Sequence, residues 1–294
     1  TTAFDTASQV PHLRWDAVGG DPDVEQRCRY GAFMVNLVYF DHHAFSISVA
    51  AAAAMDPQQR FLLECSYAVT HAARVRRHEL QGSGMGVFVG ITSTEFALTE
   101  NPASVHDIAG VGHCFAAGRI SYVLGMHGPC VAVDVACSSS LVAGHSAMRA
   151  LQLDEAPAAV LAGVHAMLVP STSLMYAAGG LISKRGRSHT FDARADGFGR
   201  GEACGAALLS ADDFRGDAHL AGSAVRQDGT SASLTAPNGQ AQQLLLDAAG
   251  VEAAVEVAFL EAHGTGTALG DPIEAGAFAA LRRMAYDGGS ASLR

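Results

Sequence analysis

Cys137 stands between the apolar run Val131-Ala132-Val133 and the small-residue stretch Ser138-Ser139-Ser140-Leu141-Val142-Ala143. A thiol at such a strand-to-helix junction suits a nucleophile, because the strand aims it and the helix N-terminus favours its thiolate. The same position also suits a compact buried hydrophobe, so Cys137 alone leaves both readings open. A second candidate is His263, which opens the stretch His263-Gly264-Thr265-Gly266-Thr267. Glycines there let backbone come close to a ligand. A neutral imidazole can take a proton from a thiol or donate a hydrogen bond to an enolate oxygen. Asp271 and Glu274, just downstream, would either support that loop or cap the following helix.

The elements that must position these groups are legible in outline. Asp56-Pro57 gives a helix N-cap and first position, and Phe61, Leu62, Glu64, Cys65, Ala68 and Val69 trace an apolar face behind it. Met85 to Gly90 reads as a short buried strand, His113 to Leu124 as a helix and Val131 to Val135 as the strand leading to Cys137. Further buried strands are expected over Ala158–Val164, Ala203–Ser210 and Val255–Glu261. Residues 1–40, with the single Trp15, read as turn-rich and irregular. Buried strands alternating with helices predict an α/β layered fold. No linker, repeat or low-complexity tract interrupts residues 1–294, which read as one domain.

Composition narrows the function. A net charge of −10 with no basic stripe argues against nucleic acid. No apolar run reaches the 18 or so residues of a membrane span. The six cysteines form no C-x-x-C pair and the 13 histidines no ligand spacing, so no metal site is expected and a reducing intracellular compartment is. Lys184 is the only lysine.

The stretch Asp134-Val135-Ala136-Cys137-Ser138-Ser139-Ser140-Leu141-Val142-Ala143 resembles the D-T-A-C-S-S-S-L-V-A nucleophile motif of polyketide synthase ketosynthases, the beta-ketoacyl synthases of the thiolase-like superfamily. Four other stretches are similar to that family's motifs, in its order: Met55-Asp56-Pro57-Gln58-Gln59-Arg60, Phe191 to Glu202, Leu234 to Gly239, and His263 to Ala275. The resemblance runs from about Val10 to Ala275. It implies a thiolase-like α-β-α-β-α fold, incomplete at both ends, comprising the N-terminal half and the first part of the C-terminal half. Cys137 would be the acyl-accepting nucleophile and its backbone N–H an oxyanion donor. His263 would hold a malonyl-type thioester and stabilise its enolate, and Thr265 and Thr267 would hydrogen-bond the pantetheine arm. Ser138, Ser139 and Ser140 would serve packing and backbone bonding instead. The reaction implied is decarboxylative Claisen condensation in polyketide or fatty-acid synthesis, with acyl groups on phosphopantetheine and no metal or redox cofactor. The implied partners are an acyl carrier protein or acyl thioester, with a homodimer as the assembly.

The chain also departs from the family. A lysine and second histidine are expected 35 to 40 residues beyond the first histidine, yet the 31 residues after His263 contain neither. Ala44 and Ser46 stand where the family has Phe and Gly, and Gly144 replaces a bulky residue. Three readings remain open: part of an ordinary ketosynthase, a catalytically inactive structural subunit in a hetero-oligomer, and a protein retaining only acyl transfer or thioester hydrolysis.

Overall fold

The computed structural model describes residues 5–12, 14–15, 20–92, 94–99, 105–211, 216–233, 235–250 and 260–287, with side chains through residue 280. In chain order its principal elements are α1 (Pro22–Cys28), α2 (Pro57–Ala72), β1 (Gly86–Ile91), α3 (His113–Leu124), β2 (Cys130–Val133), α4 (Ser139–Gln152) and β3 (Ala158–His165). They are followed by α5 (Pro170–Ala178), β4 (Ala203–Ser210), α6 (Gly239–Ala248) and α7 (Gly270–Asp287). These elements fall into two compact units, one of residues 1–16, 32–172 and 201–216, the other of residues 17–31, 173–200 and 217–294.

The first unit is a three-layer sandwich on a sheet ordered β2-β1-β3-β4. β1 runs parallel to β2 and β3, and β4 pairs antiparallel with β3. Side chains alternate across the pleat. Val87, Val89 and Ile91 of β1, with Val160, Ala162 and Val164 of β3, pack on Leu62 and Leu63 of α2 and on Ala116, Ala117, Ile120 and Leu124 of α3. Phe88 and Ala159 face the other way, onto Ala143, Ala147 and Ala150 of α4. Leu62, Leu63 and Ile120 are fully buried, and truncating such a residue to alanine costs about 2–5 kcal/mol. The first face therefore carries most of the unit's stability, while the alanine-lined face brings α4 close to the sheet.

The expected strands and the helix over His113–Leu124 are present, with β2 ending at Val133 because Val135 turns out of the strand. The strand expected over Val255–Glu261 lies largely outside the described residues, and Leu260 and Glu261 are irregular. Asp56 caps α2 as expected, accepting the Gln58 N–H at 2.8 Å. The buried stripe of α2 differs from the apolar one: Gln58, Gln59, Leu62, Leu63, Ser66 and Thr70 are buried, whereas Ala68 is exposed. Bonded amides make this possible. Gln58 Oε1 accepts the Ala166 N–H at 3.2 Å, and Gln59 Nε2 donates to Gly110 O at 2.9 Å. The stretch read as irregular also holds a helix, α1, capped by Asp21 with Pro22 in its first turn.

A buried carboxylate ties distant parts of this unit. Glu202 accepts the N–H groups of Met34 (2.7 Å) and Met167 (2.8 Å) and pairs with Arg14 at 2.9 Å. Burial pushes its carboxyl pKa up, against the pull of those donors and Arg14.

In the second unit, Cys28 of α1 packs with Ala177 and Ile182 in a small core, and α6 packs on α7. Asn238 caps α6, accepting the N–H groups of Gln240 (3.1 Å) and Ala241 (3.2 Å). This gives the Asn238-Gly239 end of the Leu234–Gly239 stretch an architectural role; Leu234 itself lies outside the described residues. Among the described residues no helix is long and apolar enough to cross a membrane, and no cluster of three His, Cys, Asp or Glu could hold a metal ion.

Candidate active site

Cys137 lies in the first unit, exposed, in a single turn of 3-10 helix (Ala136–Ser138) between β2 and α4. The chain reverses sharply there because Ala136 adopts φ +57°, a left-handed conformation that costs a residue with a Cβ about 1–2 kcal/mol. Neighbouring side chains hold the turn. Asp134 Oδ1 accepts the Ala136 N–H (3.2 Å), and Ser139 Oγ accepts the Val135 N–H (2.9 Å) while donating to Ala136 O (2.6 Å). Ser138 Oγ donates to Val135 O at 3.0 Å. These two serines satisfy backbone groups, as expected of them. Strand, turn and helix together present the thiol at the positive end of α4.

Two glycines make room for that helix. A Cβ on Gly90 of β1 would lie 2.5 Å from Ser140 Cα, and one on Gly163 of β3 would lie 2.8 Å from Ser140 Cβ. Gly144 serves the same approach from the helix side, where a Cβ would meet Leu161 at 3.2 Å. Gly90→Ala is expected to push the start of α4 off the sheet at a cost of roughly 2 kcal/mol. Thermal unfolding should show a fall of several degrees; an unchanged midpoint would contradict the close approach.

His263, Thr265 and Thr267 lie in the second unit on one loop, residues 261–267, that leads into α7. Gly264 (φ +53°) and Gly266 (φ +69°) take left-handed conformations, and a Cβ at Gly264 would lie 2.6 Å from Thr190 Cγ2. Two carboxylates of α7 grip the loop. Glu274 accepts the N–H groups of His263 (2.5 Å) and Gly264 (2.9 Å). Asp271, buried, accepts those of Gly266 (3.0 Å) and Phe191 (2.7 Å). Of the two roles open for this pair, support of the loop is the one observed. Thr190 Oγ1 donates to Gly264 O (2.5 Å), and the Gly197 N–H donates to Gly266 O (3.0 Å). The Phe191–Glu202 stretch thus includes a second clamp on this loop, a role its motif alone did not reveal. Thr265 Oγ1 and Thr267 Oγ1 lie 3.2 Å apart, and the Gly270 N–H donates to Thr267 Oγ1 at 3.1 Å. The imidazole of His263 is exposed on a backbone fixed from both sides.

Residues 2–213 match the family model of the beta-ketoacyl synthase N-terminal domain, and residues 217–291 that of its C-terminal domain. The chain is 45% identical over 291 residues to one phenolphthiocerol/phthiocerol polyketide synthase protein of Mycobacterium tuberculosis, covering 93% of this chain and 19% of that protein. It is 42% identical over 288 residues to a second phenolphthiocerol/phthiocerol polyketide synthase protein from the same organism, covering 92% and 16%. Among solved structures it is similar to the ketosynthase from module 6 of the bacillaene synthase of Bacillus subtilis 168, with TM-score 0.84 and 32% identity over 94% of this chain and 49% of that one. The oxazolomycin ketosynthase domain of Streptomyces albus JA3453 gives TM-score 0.84 and 32% identity, over 94% and 50%. The fold is thus the thiolase-like α/β fold. The chain spans about half the length of those ketosynthase structures and less than a fifth of those synthase proteins.

Proposed function

Because the chain belongs to the beta-ketoacyl synthase family, among the ketosynthases of polyketide synthases, we propose that it serves carbon–carbon bond formation through an acyl-Cys137 intermediate. The single observation that carries this reading is the exposed thiol on a strained strand-to-helix turn, held by Asp134, Ser138 and Ser139. In the first step the Cys137 thiolate attacks the carbonyl of an acyl thioester, and the pantetheine sulfur leaves and takes up a proton. In the second, a malonyl-type thioester loses carbon dioxide, its enolate carbon attacks the acyl carbonyl, and the Cys137 thiolate leaves. His263 stabilises the enolate oxygen, while the Thr265 and Thr267 hydroxyls hold the pantetheine arm. The acyl groups arrive on the phosphopantetheine of an acyl carrier protein.

The test is mass spectrometry of the intact chain after incubation with a simple acyl thioester. An adduct mapping to Cys137 supports the reading. Its absence favours the alternative, a ketosynthase-derived protein kept for structure. His263→Ala is expected to retain loading on Cys137 and to lower malonyl-thioester decarboxylation by about 10²–10³-fold. Equal loss of both steps would refute the assigned role.

A homodimer is part of the same reading. β2 is an edge of its sheet, with Val131 exposed along it, Val135 exposed just beyond its end, and Tyr122 and Leu141 strongly exposed on the helices before and after it. Such an edge invites pairing with a second copy. Ala132→Pro, at a position whose N–H faces away from β1 in this ladder, would block edge pairing and is expected to shift the chain from dimer to monomer in light scattering; a dimer that persists would place the interface elsewhere.

A further inference from the structure

His113 opens α3, which packs on β2, and the chemistry above makes no use of it. Its Nδ1 lies 3.9 Å from Asp134 Oδ2. The other oxygen of that carboxylate, Oδ1, accepts the N–H of Ala136, the left-handed residue directly before Cys137. One carboxylate thus stands between an imidazole on a helix and the backbone of the turn that presents the thiol.

Asp134, Ser138 and Ser139 lie within four residues of the backbone groups they hold, so they fix the shape of the turn. His113 comes from a separate element. Ala116, Ala117, Ile120 and Leu124 anchor α3 in the core, so a charge on its first residue ties the turn to the body of the unit. A helix start is otherwise a poor place for a cation, being the positive end of the dipole; the Asp134 carboxylate supplies the opposing charge. A second carboxylate lies within reach of the same field. Burial raises the Asp56 carboxyl pKa, against the pull of the Gln58 N–H and amide and of the charges on His113 and Arg60.

We propose that His113, in its imidazolium form, is a positioning residue for Cys137 and acts through Asp134. The inference rests on the reading of Cys137 as the nucleophile. Pairing holds the Asp134 carboxylate in place with Oδ1 on the Ala136 N–H, and so keeps the thiol at the positive end of α4, where its thiolate is favoured. The imidazole is 20% exposed and the carboxylate 50%, so solvent screens the pair and the expected effect is a few-fold one.

The test follows alkylation of Cys137 by iodoacetamide in the full chain, mapped by mass spectrometry with the exposed Cys130 as internal reference. It is run at about pH 6.5, where an imidazole is partly charged. His113→Gln is expected to slow alkylation of Cys137 about three- to fivefold and to leave Cys130 unchanged. His113→Asn, also neutral, should do the same, so one folded variant of the two suffices. His113→Lys, which keeps a cation, should restore the rate. In an Asp134→Asn background, His113→Gln should have no further effect, because the group it acts through is gone. Equal rates in the neutral variants and the unaltered chain would overturn the proposal. So would a slow His113→Lys, or a loss of the same size in the Asp134→Asn background. Alkylation needs no acyl chemistry, so the two readings fail separately. An unaltered chain that takes no acyl group on Cys137 counts against the function, whereas unchanged alkylation in the variants counts against His113 alone.

Discussion

Cys137→Ala is expected to reduce acyl loading to background, a loss of at least about 10³-fold, with the fold unchanged. Both halves follow from the turn. Cys137 is exposed, so truncation opens no cavity, and its stability should stay within about 0.5 kcal/mol of the starting protein. The side chains that hold the turn belong to Asp134, Ser138 and Ser139, none of which is altered. Loss of the adduct therefore reports chemistry rather than collapse. Cys114 and Cys130 are also exposed and provide an internal control. Loading that survives in the variant, or maps to either of them, would sink the assignment of Cys137 as nucleophile.

Glu202→Ala is expected to be the most destabilising single substitution considered. The carboxylate is fully buried and collects two backbone N–H groups and the Arg14 guanidinium, itself only 11% exposed. Removing it strands a cation and two donors away from water, at a cost of about 3–5 kcal/mol. Against a typical stability of about 5–15 kcal/mol, much of the folded population is at risk, and the midpoint should fall by on the order of 10 °C. Arg14→Met combined with Glu202→Leu should cost less than Glu202→Ala alone, because no charge is left unpaired. A double variant as unstable as the single would show that the N–H bonds, not the ion pair, dominate.

The fold was legible where local chemistry and burial agree. Asp56-Pro57 marked the start of α2, and four β-branched or small apolar runs marked the sheet. The same Asp-Pro signal at Asp21-Pro22 announces α1, whose seven residues were too few to show an apolar period. The buried side of α2 was hidden because Gln58, Gln59, Ser66 and Thr70 contribute to it, and buried amides look like surface to any reading based on hydrophobicity. At the site, Cys137 and His263 stood out by type and neighbours. The left-handed Ala136 did not, since alanine gives no sign of a positive φ. Nor could spacing separate capping from bracing for Asp271 and Glu274, because one carboxylate at a helix start can do either.

Gly90 and Gly163 lie 47 and 26 residues from Cys137 in sequence, on either side of it, yet they set how near α4 comes to the sheet. The cysteine motif is therefore not portable by itself. A chimera that imports residues 130–152 into a relative with alanine or valine at either strand position would carry the right reactive residues on a displaced helix. Exchanges between synthases should have their crossover points before residue 86 and after residue 165, so that the helix and the bare patch it rests on travel together.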